Sequence, residues 1–315
     1  MAATHGRKSP ASRTVDAPLV KHMKILITGG SGLLGGKIAE LAQARGDEVF
    51  SGYAHNAPGF GKAVKFYLLD GPGISETIMR IKPEVIIHSA ALTDVDRCER
   101  ERELAYKMNV EGTRIISEVS KQIGSFLIYI STDYVFDGSR GMYREDDSPN
   151  PLSYYGLTKL LGEQFCDHGC IARSCVIYGS RPASGKVNFA LWLIESLKSG
   201  KQIHVVTDQF ITPTHNLNLA KMVLEAADRK LCGVYHLAGA TRISRYDFAL
   251  QLAKIFKLEA DPILPSRMCD LKWNAKRPKD SSLDTSKARR VLADRPLALD
   301  ESLQILKKEI EYEVS

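Results

Sequence analysis

None of the six cysteines forms a Cys-x-x-Cys pair. Cys166, Cys170 and Cys175 cluster, but their spacing matches no zinc pattern and no His or Cys pair completes it. The sequence therefore predicts no metal site. Cysteines without a disulfide framework, in a chain of 315 residues, point to a reducing, cytoplasmic compartment. No apolar run reaches the ~18 residues of a membrane span, so no membrane association is expected. A concentrated basic block is also missing. The formal net charge is +6. About half of it sits in the first 22 residues, where Arg7, Lys8, Arg13 and Lys21 face only Asp16. The body is nearly balanced, which argues against a nucleic-acid partner. The tail has no apolar core of the kind a secretory signal carries; residues 1–22 are read as a disordered extension outside the fold. There is no internal repeat.

What is present is ordinary globular composition, 44% hydrophobic and 25% charged, enough to bury a sizeable core. From Lys24 onward apolar strands alternate with helices. Strands are expected at 24–28, from Glu48, at 64–69 and at 84–88, with a fifth at 125–130. Pro83 closes the helix before the fourth strand. A long helix is expected over 101–123 with Gly124 as its cap. Near-continuous apolar strands covered by helices on both faces predict an α/β, doubly wound parallel sheet, with ligands at the carboxyl ends of its strands. Later strands at 171–177 and 234–237 are expected to return to that sheet. This gives a dinucleotide-binding Rossmann domain over 23–180 and a mainly substrate-binding lobe over 181–315.

Gly29, Gly32 and Gly35 form Gly-x-x-Gly-x-x-Gly at the first strand–helix junction. Glycines here allow a tight turn, close approach of a pyrophosphate and close helix–strand packing. The helix N-terminus then offers unpaired N–H groups and partial positive charge to phosphate. About twenty residues on, an NAD-specific site would place a carboxylate against the ribose 2′-hydroxyl. The segment from Ser51 to Asn56 has none, so NADPH is favoured, with NADH possible. His55 and Lys62 are the nearby groups that could help hold a 2′-phosphate. Asp70, closing the third strand, is either an adenine-side residue or a helix N-cap.

Tyr155 and Lys159 form Tyr-x-x-x-Lys. At i and i+4 on a helix they share a face, and the ammonium is expected to lower the phenol pKa. Tyr155 then becomes a proton donor to a carbonyl oxygen. Tyr154 is a rival, but four residues on it meets Thr158. Ser131-Thr132-Asp133-Tyr134-Val135-Phe136-Asp137-Gly138 begins where the fifth strand ends, at the expected site edge.

These strings, with Ala90 to Asp96, Asp208-Gln209-Phe210-Ile211-Thr212-Pro213-Thr214 and Arg277-Pro278, resemble the extended short-chain dehydrogenase/reductases. Within them the chain is similar to the dTDP-4-dehydrorhamnose reductases, over about residues 24–307. The resemblance implies that Tyr155 donates the proton, Lys159 lowers its pKa and binds nicotinamide ribose, and Thr132 completes the triad. It also implies that Asn109 is the superfamily's helix asparagine, that Gly29, Gly32, Leu33, Leu34 and Gly35 carry the pyrophosphate, and that Asp70, Ala91 and Thr93 complete the cofactor groove. Asp133, Val176 and Arg277 fall on the substrate side. A nucleotide-sugar substrate and a monomer or homodimer follow from the same likeness. Two departures stand out. Val176 occupies a position where bacterial members often have Trp, and Lys37 replaces an acid through which some members bridge a dimer with Mg²⁺. The regulatory β subunit of methionine adenosyltransferase resembles the same fold and binds NADP as a partner-binding subunit, so it remains the alternative to a reductase, beside a reductase or epimerase of another nucleotide sugar.

Overall fold

The computed structural model describes residues 22–183 and 185–314; the tail expected over 1–22 lies almost wholly outside them. The centre is a parallel sheet of β1 (Lys24–Thr28), β2 (Glu48–Tyr53), β3 (Lys62–Lys65), β4 (Val85–His88), β5 (Phe126–Thr132), β6 (Cys170–Ser174) and an outer strand, Gly233–His236. The order is 3-2-1-4-5-6 with Gly233–His236 beside β6, the doubly wound arrangement. The order reverses between β1 and β4, so a crevice opens at their carboxyl ends.

Side-chain alternation divides the core. Ile25, Ile27, Val85, Ile87 and Ile128 face α1 (Leu33–Ala44) and the helix Asn216–Asp228. Leu26, Ile86, Leu127 and Tyr129 face α2 (Gly71–Ile81) and α5 (Gly112–Ile123). Every residue of β5 is buried, as a strand covered on both faces requires. A third cluster joins the helices Phe189–Lys198, Arg245–Phe256 and Leu299–Val314 around the parallel pair Ile203–Val206 and Ile263–Ser266. Among the described residues no helix is long and apolar enough to cross a membrane.

Three elements differ from the sequence expectation. The helix expected over 101–123 is three pieces, α4 (Arg102–Tyr106), a π turn over Lys107–Glu111, and α5, and a separate short helix, α3 (Val95–Arg100), precedes them. Asp94 accepts from the Arg97 N–H to start α3, and Glu101 at φ −116° interrupts the helix. The third strand is Lys62–Lys65 rather than 64–69, because the chain turns off the sheet after Phe66 to reach the α2 cap. The strand expected over 171–177 stops at Ser174. Val176 adopts φ +39°, and Ile177–Tyr178 pairs instead with Thr214–His215.

Candidate active site

At the crevice lies a cleft of about 680 Å³. One end is built from backbone. Gly29 has φ +71°, and a Cβ there would stand 3.0 Å from the Ala90 nitrogen. A Cβ on Gly35 would run into the Gly29 carbonyl, so α1 meets β1 only through glycine. Gly32 caps α1 with no side-chain hydrogen bond, and the first turn carries no acid; its N–H groups are left for an anion. Asn216 donates to the Leu33 carbonyl at 3.1 Å, bracing the loop from the later helix. Leu33, Leu34, Ala91 and Thr93 line the same groove. Thr28 sits beneath it, accepting from the Ala90 N–H and sharing a 2.7 Å hydrogen bond with His88. Burial holds His88 down at about 3, so it is neutral there.

Tyr53, Ala54, His55 and Asn56 line the far end of this groove, and no carboxylate joins them. Lys62 does not: its ammonium is 2.7 Å from Glu48. Lys65, which the sequence reading passed over, is closer, with its ammonium over the Tyr53 ring at 4.5 Å. Asp70 is corrected as well. It is exposed, lies outside the cleft lining, and caps α2 by accepting from the Gly73 N–H at 3.0 Å.

The other end is built from buried side chains. Ser153 caps α6 (Tyr154–Glu163), accepting from the Gly156 N–H. The helix then turns Tyr155 and Lys159 into the cleft, where Thr132 meets them from the end of β5. Tyr154 points elsewhere, under the Arg102 guanidinium at 5.0 Å. Thr132 and Tyr155 line the same end of the cleft. Lys159 places its ammonium 3.9 Å from the Tyr129 ring centre. Here the electrostatics run against expectation. Enclosure pushes the Tyr155 phenol up, and the neighbouring Thr132 acts in the opposite direction. Burial also lowers Lys159 to about 7. In both groups desolvation is the largest cause of the shift.

Four predicted residues sit differently from one another. Asp133 is buried in the cleft wall. Val176 lines the cleft in a left-handed conformation that is rare for a β-branched residue. Arg277 is outside the lining: it forks onto Asp96 at 3.0 and 3.1 Å and stacks on Trp273. Asn109 is also off the lining. From the π turn its amide donates to the Leu92 carbonyl and to Thr158 Oγ1 at 3.1 Å each, and its oxygen accepts from the Leu92 N–H at 2.8 Å. It touches no open site; it ties the loop after β4 to α6, one residue before Lys159.

The sequence reading missed the support under β5. Ser131 donates to Glu163, which is forked onto Arg173 at 2.7 and 2.9 Å. Glu163 is four residues past Lys159 and favours its charged form, a spacing that was visible in the sequence. Lys186 and Asn188 at the mouth were also unread. Among the described residues there is no group of three His, Cys, Asp or Glu side chains placed to hold a metal; Lys37 pairs with Glu40 at 2.9 Å and Glu309 at 3.6 Å.

A glycine-built groove leading to Thr132, Tyr155 and Lys159 on a doubly wound sheet defines an oxidoreductase of the extended short-chain dehydrogenase/reductase class. Residues 23–311 match the RmlD substrate-binding domain, and the chain belongs to that family. A dTDP-4-dehydrorhamnose reductase from Bacillus anthracis, solved in complex with NADP, superposes with a TM-score of 0.83 at 30% identity, over 92% of this chain and 100% of that one. The probable low-salt glycan biosynthesis reductase Agl14 of Haloferax volcanii is 31% identical over 90% of this chain and 97% of its own. Methionine adenosyltransferase 2 subunit beta of Xenopus laevis is 33% identical over 79% and 77%.

Proposed function

We propose that the chain reduces the 4-keto group of a dTDP-4-dehydro-6-deoxy sugar with NADPH, turning dTDP-4-dehydrorhamnose into dTDP-L-rhamnose. The observation that carries this reading is the convergence of Thr132, Tyr155 and Lys159 at one end of a cleft whose other end is an uncapped, glycine-lined helix N-terminus. The residues fit a dinucleotide. The cradle at Gly29, Gly32 and Gly35 is one that a Cβ would obstruct, and the groove wall at Tyr53 to Asn56 carries no charge to repel a 2′-phosphate. Bound there, NADPH supplies the hydride.

The chain's own residues do the rest. Tyr155, kept protonated by its enclosure, hands its proton to the sugar oxygen as charge develops on it. Lys159, with a pKa of about 7, supplies positive charge beside the ribose and the new phenolate below that pH. Thr132 stabilises the phenolate by hydrogen bond. Asn109 holds α6 in register through Thr158. Asp133 and Val176 shape the sugar end. Arg277 acts through Asp96 and not on the sugar.

The 33% likeness to the methionine adenosyltransferase subunit favours a second reading, an NADP-binding regulatory subunit. One experiment separates them: NADPH oxidation by the isolated chain with a panel of nucleotide keto sugars, with the product's C4 configuration read by NMR. Turnover of the dTDP sugar is expected. No turnover, with a methionine adenosyltransferase co-purifying, would favour the regulatory role.

A further inference from the structure

His88, the last residue of β4, is buried, and both of its ring nitrogens meet hydroxyls that have no exposed surface. Nδ1 lies 2.7 Å from Thr28 Oγ1, and Nε2 lies 3.0 Å from Thr113 Oγ1. The protons can be placed by counting. Thr113 has one hydroxyl proton, and it goes to the Asn109 carbonyl at 2.8 Å. The Thr113 oxygen therefore accepts from His88, and Nε2 carries the ring proton. On the other side, Thr28 Oγ1 accepts from the Ala90 N–H at 3.2 Å and turns its own proton to Nδ1. A second ring proton would remove the acceptor of the Thr28 hydroxyl. The same groups grip one stretch of chain. Thr28 holds Ala90, while the Asn109 amide holds both the N–H and the carbonyl of Leu92. Ala90 and Ala91 line the groove, and the Ala90 nitrogen is the atom 3.0 Å from a Cβ on Gly29. That wall has no slack against the glycine loop.

We propose that His88 is a positioning residue for the cofactor groove: as the Nε2–H tautomer it fixes the direction of a buried hydrogen-bond ring that sets the wall Ala90–Leu92 against the glycine loop. The ring runs through His88, Thr28, Ala90, Leu92, Asn109 and Thr113. Its direction is all or none. With the proton on Nδ1, Thr113 would face two acceptors, Nε2 and the Asn109 carbonyl, with one proton between them. The Thr28 hydroxyl would then have to accept from the ring and would lose its own acceptor. Either bond given up loosens the wall, at Ala90 or at Leu92, in a place where water cannot replace it. The titratable groups facing the imidazole are Tyr129 from β5, ring centres 5.5 Å apart, and Lys159 from α6, whose ammonium is on the Tyr129 ring. Both ring nitrogens of His88 are already taken by threonines. The ring also reaches the catalytic helix. Asn109 donates to Thr158 Oγ1 at 3.1 Å, and Thr158 donates to the Tyr155 carbonyl at 2.9 Å. His88 lies off the cleft lining and acts through the wall.

The test needs no turnover, although its affinity readout rests on the reading of the groove as a dinucleotide site. In the full chain labelled with ¹⁵N-histidine, two-bond ¹H–¹⁵N correlations should show His88 as Nε2–H, unchanged from about pH 5 to pH 9. An Nδ1–H pattern, or a ring that protonates within that range, overturns the assignment. NADPH titration then tests the wall. Thr113→Val keeps the shape and removes the hydroxyl, so Kd should rise ~3–10-fold, the size of one net hydrogen bond, and part of the His88 signal should move to Nδ1–H. Thr113→Ser should restore both. A folded Thr113→Val protein that only melts earlier, with Kd and tautomer unmoved, overturns the positioning role, as does a loss that Thr113→Ser fails to restore. If Thr113→Val does not fold, Thr28→Val and Thr28→Ser make the same comparison from the other side of the ring. If the unmodified chain binds neither NADPH nor NADH, the cofactor reading fails, while the tautomer still judges the ring.

Discussion

The two ends of the cleft are made of different material. The cofactor end is backbone: Gly29, Gly32 and Gly35 leave space, and the uncapped first turn of α1 leaves N–H groups. The end at Tyr155 is side chain: a buried amine, a phenol with its pKa raised, a buried carboxylate and a β-branched residue at positive φ. Binding at the first end costs the fold little, because helix N–H groups are orphaned in any case. The second end holds groups in states that water would not favour, and such cost is characteristic of sites that do chemistry. The comparison can be broken by substitutions that move one end without the other.

Lys159→Met should have the largest effect. Steady-state turnover should fall ~10²–10⁴-fold, the usual share of acid–base assistance. The melting temperature should rise, because the fold no longer desolvates an ammonium that water keeps charged to 10.5. In the unmodified chain the Lys159 charge is complete only well below its pKa of about 7, is half lost there and is gone well above it, so turnover should decline on the alkaline side; a flat profile from pH 6 to 9 would contradict this. Next comes Gly35→Ala, whose Cβ meets the Gly29 carbonyl. NADPH affinity measured by fluorescence titration should drop at least ~10-fold, with ~1–3 kcal/mol of stability lost to overpacking. Tyr53→Asp should weaken NADPH about 10-fold relative to NADH, through charge on the 2′-phosphate side. Asp70→Ala should be smallest: about 1 kcal/mol from a lost N-cap, read in a denaturant melt, with NADPH affinity unchanged. A large affinity loss there would return Asp70 to the cofactor site.

The same contrast explains what could be read from sequence. The glycine loop and the Tyr155–Lys159 pair are local patterns, three to four residues apart, and sit where the alternation of strands and helices puts them. The sheet order follows from that alternation. The remainder depends on contacts made at long range. Asp96 takes Arg277 away from the cleft across 181 residues. Asn109 is drawn off the lining by a π turn that no apolar period announces. Val176 goes against its own propensity because Thr214 and the following Ile177 pairing turn the chain there. The direction of the Tyr155 shift was misjudged for a related reason: spacing reveals a neighbouring charge, whereas burial belongs to the folded whole.

The most direct test of the account is Tyr155→Phe, with Tyr154→Phe as control, followed by NADPH titration and turnover on the same preparations. The account predicts that Tyr155→Phe binds NADPH as the unmodified chain does and loses turnover of the dTDP-4-keto sugar by ~10²–10⁴-fold, while Tyr154→Phe keeps both. A Tyr155→Phe protein with near-normal turnover, or one that loses NADPH and turnover together, would contradict the separation of the two ends.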